Sequence, residues 1–223
     1  VATERPVTTA RAATRPPSTL LRRLVGGGTA GNEELTAITA VVLLLLLAAL
    51  GVTILRVHQL LNPHMFIGMV LLGPVVLKIA STGYRFVRYY SRDPRYLSKG
   101  PPELLMRLTA PIVVLSTVVV FATGVVLLVG GPSVRSPVVA LHKVSFIVWV
   151  AFTAVHVLGH LPHLPAALRA SEHTRDNAWD DYGSGRGGRA LALAGATVGG
   201  LVLAILVEPL FSAWANSGNF PFH

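Results

Sequence analysis

Read for where its apolar residues fall, the chain divides into five long apolar runs separated by polar segments rich in glycine, proline and arginine. A helix needs about 20 predominantly apolar residues to cross a hydrocarbon core about 30 Å thick. Each run reaches that length, and the expected spans are 35–57, 64–90, 103–129, 136–161 and 190–211. The punctuation agrees. Asn62-Pro63 makes the first turn, with proline suited to the start of the second helix. Gly130-Gly131-Pro132 stops the third helix, and Pro162 and Pro165 follow the fourth. Gly73-Pro74 stands in the middle of the second span, where a kink is tolerated if a neighbouring helix covers the carbonyl that proline frees. In the fifth span Gly195 and Gly199 offer a small-xxx-small face for close packing. The expected fold class is all-α, an integral membrane bundle of five transmembrane helices forming one domain.

Composition supports that class and charge orients it. Of the 223 residues, 52% are hydrophobic, which belongs with membrane proteins rather than soluble domains. A net charge of +9 invites a nucleic-acid reading, but the basic residues lie between the apolar runs and not along one soluble face. No nucleic-acid partner is expected. Residues 1–34, with Arg5, Arg11, Arg15, Arg22 and Arg23, hold no run able to bury a core and are expected to form a mobile cytoplasmic arm. A cleaved leader is not expected, because the first apolar run begins only near Leu35. Arg85, Arg88, Arg92, Arg95, Lys99 and Arg107 surround the second connection, and Arg169, Arg175, Arg186 and Arg189 lie in the fourth. Only Arg56, Arg135 and Lys143 fall on the opposite side. The excess of positive charge predicts a cytoplasmic N-terminus and a short outer tail over 216–223. There is no cysteine, which excludes disulfides, thiolate-held iron–sulfur clusters and covalent haem attachment. No Gly-x-Gly-x-x-Gly follows a strand, so flavin or nicotinamide chemistry would belong to another chain.

The candidate chemistry centres on Leu141 to His163, LHKVSFIVWVAFTAVHVLGHLPH. His142 and His156 are fourteen residues apart, which on a helix is about 21 Å along the axis and nearly the same face. They stand near opposite sides of an apolar core. Imidazole is costly to place in lipid without a partner, so such residues point to a site. Haem iron is a fitting partner, being an acceptor of neutral imidazole carried on a large apolar disc. His64 opens the second span, which runs parallel to the fourth, so His64 and His142 can face each other across one haem. Fourteen residues beyond His64 stands Lys78. Its amino group can reach the headgroups along its stem, pair with a haem propionate, or ligate iron as a neutral amine. Arg85 and Arg88 are further candidates for propionates. His160 and His163 follow His156 at i+4 and i+7 on one face, and no carboxylate completes a metal site there, so bonding to propionates or water is expected. His58 reads as an interfacial residue. The plainer reading of these histidines is polar packing inside the bundle, bonded to a carbonyl or hydroxyl.

His64-x3-Gly68 followed by Lys78, together with Leu141-His142 and His156-x3-His160, resembles the bacterial membrane cytochrome b superfamily. That group includes the cytochrome subunits of membrane-bound hydrogenases and formate dehydrogenases. The resemblance is one of spacing and topology and covers about Leu35 to Leu161. It implies a helical bundle in the bacterial cytoplasmic membrane, b haems held by paired histidines, and electron exchange between quinone and a redox partner subunit. Under it, His64 and His142 match the outer pair of iron ligands and His156 matches one inner ligand. The chain departs from the pattern at Lys78, where histidine is expected, and at Phe146, where a small residue would let the macrocycle approach. The expected function is electron transfer through one haem b, or two if the inner position is also filled, in a subunit of an oxidoreductase rather than a complete enzyme. The alternative is a non-redox assembly subunit or small transporter whose histidines bind metal or relay protons. Against transport, the interior of the apolar runs holds no Asp or Glu apart from Glu208 near the end of the fifth.

Overall fold

A computed structural model of the protein describes residues 28–97, 104–160 and 185–215. The described residues form α1 (Gly28–Leu55), α2 (Leu61–Tyr90), the short α3 (Pro94–Leu97), α4 (Leu104–Gly130), α5 (Arg135–His160), α6 (Arg186–Val207) and α7 (Phe211–Ala215). Tight 3-10 turns over Gly131–Val134 and Glu208–Leu210 join α4 to α5 and α6 to α7. There is no strand among the described residues, and the protein is an all-α, multi-pass membrane bundle. Four stretches are long and apolar enough to cross a membrane. One of them, Arg107–Gly159, is 53 residues long and contains both α4 and α5. Gly131, at φ +64°, takes the left-handed conformation that reverses the chain between them, so the described residues hold five long helices.

Several boundaries differ from the hydrophobic pattern, two of them for physical reasons that the contacts and the sequence show. The first helix begins at Gly28, before the apolar run, because its polar first turns find partners on other helices. Asn32 Nδ2 donates to the Ser81 carbonyl at 3.2 Å, Glu33 pairs with Arg85 at 3.5 Å, and Glu34 pairs with Arg189 at 2.8 Å. The fifth long helix ends at Val207, earlier than expected, because Pro209 cannot continue an α-helical ladder and the chain tightens into a 3-10 turn. The remaining arm, over 1–27, and the tail, over 216–223, lie outside the described residues.

The molecule is apolar outside, and its interior combines an apolar cluster of Met69, Val70, Leu128, Ala204 and Phe211 with a set of buried hydroxyls. Leu45, Leu55, Leu104, Val129, Leu158 and Leu206 are all exposed, as lipid-facing residues should be. Buried among the helices are Thr39, Thr53, Ser81, Thr109, Ser116, Thr117, Thr123 and Ser145. Small hydroxyl residues let membrane helices approach closely and bond across the interface, whereas lipid tails offer leucine the same environment as a neighbour does.

Two groups of helices result. In the first, α2 packs between α1 and α6. A Cβ on Gly73 would collide with the Ala196 carbonyl, and a Cβ on Gly200 would collide with the carbonyl of Val70. Val70 is the residue whose carbonyl Pro74 leaves without its helical donor. The backbone of Gly200 therefore covers the freed group, as a kink at mid-span requires. The packing glycines of the two helices are Gly73 and Gly200, with Ala196; Gly195 and Gly199 face open space. In the second group α5 packs on α4, and it makes no more than marginal contact with α2. The groups meet where α4 touches α2 and where the turn after α4 meets α7.

Candidate functional site

The histidines are set by hairpins, and each hairpin holds them in the same manner. In the α1–α2 pair, Thr53 Oγ1 lies 3.1 Å from His64 Nδ1. In the α4–α5 pair, Thr123 Oγ1 lies 2.9 Å from His142 Nδ1, and Thr109 Oγ1 lies 3.5 Å from His156 Nδ1. Between these two rungs Trp149 Nε1 donates to Thr117 Oγ1 at 2.9 Å. His142, Trp149 and His156 recur every seven residues, which keeps three N–H groups on one seam of α5 against a hydroxyl seam of α4.

The hydroxyls decide the tautomer of the rings. Thr53 Oγ1 donates to the Leu50 carbonyl at 2.6 Å, and Thr123 Oγ1 lies 2.8 Å from the Val119 carbonyl and 2.9 Å from that of Val120. A threonine has one hydroxyl proton, and a carbonyl can only accept. That proton goes to the carbonyl of its own helix, so the oxygen faces the imidazole as an acceptor. Nδ1 of His64 and of His142 must then carry the ring proton, which leaves Nε2 with its lone pair. The His142 ring also bonds to the backbone of Val120.

His64 and His142 come near one another. Both stand near the end of the bundle that carries the α1–α2 and α4–α5 turns, and His64 lies within electrostatic range of His142. Both are half-buried. Because α2 and α5 do not pack along their lengths, the imidazoles approach from walls that are not in contact. A Cβ added to Gly68, one turn beyond His64, would meet nothing within 4 Å, so that wall is open beside the ring. On the other side Gly124 lets the His142 ring lie flat on α4, since a Cβ there would sit 3.3 Å from His142 Cε1. Phe146, at the position where a small residue was expected, stacks at 6.0 Å on Trp149. Two imidazoles held through Nδ1 on helices that make only marginal contact suit a group that takes two nitrogen ligands, and the residues present fit one.

The remaining candidates are used otherwise. Lys78 Nζ donates to the Thr36 carbonyl of α1 at 2.9 Å. Arg85 pairs with Glu33, and Arg88 pairs with Asp93 while lying over the Tyr84 ring. His58 is exposed in the α1–α2 turn. His160 is the last residue of α5; its side chain, and the whole of His163, lie outside what the structure describes. No group of three or more His, Asp or Glu is placed to hold a metal ion among the described residues. The threonines went unnoticed in the sequence, although Thr109 and Thr123 are fourteen residues apart, the same interval as His142 and His156.

Comparison with protein-family models, with curated proteins and with solved structures finds no match to this chain.

Proposed function

We propose that this protein is a membrane b-type cytochrome that carries electrons, in which His64 and His142 would hold a haem. The observation that carries the reading is that His64 and His142, each bonded through Nδ1 to a buried threonine, stand at the same end of the bundle on helices that make only marginal contact. When bound, haem supplies a one-electron couple whose potential is set by its axial ligands and their surroundings. The chain's own part is to hold both rings in one tautomer and to fix their depth near one membrane face. Electrons pass between a quinone and a redox partner subunit, in keeping with a chain that lacks flavin and nicotinamide motifs. Arg85, Arg88, Arg92, Arg95, Arg107 and Arg189 gather at the opposite end of the bundle from the histidine pair. By the positive-inside rule that end faces the cytoplasm of a bacterial inner membrane, and the haem lies toward the outer face.

A dithionite-reduced minus oxidised absorption spectrum of detergent-purified protein, with haem extracted and quantified per chain, tests this. A sharp b-type α-band is expected, at one haem per chain. Folded, colourless protein made with ample haem supply would overturn the reading and leave a non-redox membrane subunit.

A further inference from the structure

Resting on the haem reading, we infer that Thr53 and Thr123 are positioning residues, which fix the tautomer and the basicity of the two iron ligands from the backbone of the neighbouring helix. Each threonine closes the same three-part relay: helix carbonyl, hydroxyl, imidazole Nδ1–H. Both threonines are buried, with exposures of 4% and 7%, so no bulk water competes for the ring proton. The relays stand in different hairpins, joined by turns of different length, yet they present their rings at the same end of the bundle. A threonine buried for packing alone needs no imidazole on its oxygen; valine fills the same volume. What valine removes is the acceptor, which leaves Nδ1–H buried and unpaired or lets the proton move to Nε2. A ring protonated at Nε2 cannot ligate iron. A ring that donates from Nδ1 also gains electron density at Nε2, which favours the ferric state, so loss of the bond moves the potential upward.

The experiment compares wild type, Thr53→Val, Thr123→Val and the two Thr→Ser variants as full chains in detergent. Haem retention and reduction potential are read on the loaded protein, and 15N shifts of labelled histidine on the haem-free protein. Each Val variant is expected to hold haem about 10- to 100-fold more weakly than wild type, the usual effect of removing such an outer partner. Its potential rises, its ring loses the pure Nδ1–H signature, and serine restores all three. Val variants with wild-type haem affinity, potential and tautomer would overturn the inference. So would serine variants that behave like valine, which would assign the effect to packing. Wild-type protein whose His64 and His142 carry the proton on Nε2 when haem-free would also overturn it, with no variant needed. Colourless wild type with both rings in the Nδ1–H form would sink the haem reading alone and leave the tautomer assignment standing.

Discussion

At the scale of single residues, the distinction among the histidines is one of what each ring faces. His64 and His142 stand within electrostatic range of one another at one end of the bundle, whereas His156 stands fourteen residues further along α5, opposite no histidine of α2. His142→Ala and His64→Ala are each expected to abolish the b-type absorbance, measured as haem per chain in protein that still elutes as a folded species. His156→Ala should keep it. Full haem content in His142→Ala would refute the ligand assignment. Lys78 belongs to the same scale. Its ammonium rests on the Thr36 carbonyl, which differs from a reach to the headgroups, to a propionate or to iron. Lys78→Met is therefore expected to leave the absorption spectrum and the haem content unchanged.

At the scale of elements, two hairpins are built on one interval. Thr39 and Thr53 on α1 are fourteen residues apart, as are His64 and Lys78 on α2, Thr109 and Thr123 on α4, and His142 and His156 on α5. In the register set by Thr53 and His64, Thr39 falls opposite Lys78, fully buried, with its hydroxyl on the Leu35 carbonyl and ready to accept. Lys78→His is thus expected to complete the second hairpin's pattern in the first and raise haem from one to two per chain; an unchanged content would show that the inner end lacks the room. The helix contacts allow a second test. Gly200→Val drives a side chain into the Val70 carbonyl and is expected to cost about 1–3 kcal/mol, seen as a lower midpoint of thermal unfolding in detergent. Gly199→Val, facing open space, should be close to neutral. The long helices and the turns at Asn62-Pro63 and Gly130-Gly131-Pro132 were legible because long apolar runs and Gly-Pro stops are local signals. That His142 and His156 share one face of a helix was legible from its periodicity. Which glycines pack was not, because Gly199 and Gly200 differ by one position and only the rotation of α6 against α2 separates them. The threonines were hidden for another reason: serine and threonine are common in membrane helices, and their meaning comes from the antiparallel register between chain segments.

At the scale of the whole molecule, α1, α2 and α6 form one packed unit, and α4 and α5 form a hairpin joined to it by a narrow contact. A group held by His64 and His142 would bridge the two units, since one ligand comes from each. Ligands that bind only the native arrangement stabilise it by mass action. Removing haem is expected to speed amide hydrogen exchange in α5 more than in α2, measured by mass spectrometry on loaded and depleted protein; equal changes in both would show that the units are held together without it. The ion pair between Glu34 and Arg189, half-buried at the start of α1 and α6, closes the first unit at the basic end. It has a consequence for how the chain is made. The α1–α2 hairpin emerges from the ribosome long before α6, and until then the notch at Gly73 and the bare Val70 carbonyl have no cover. The helix that seals the first hairpin is synthesised after α4 and α5, so final locking of the early part of the chain waits until α6 has emerged.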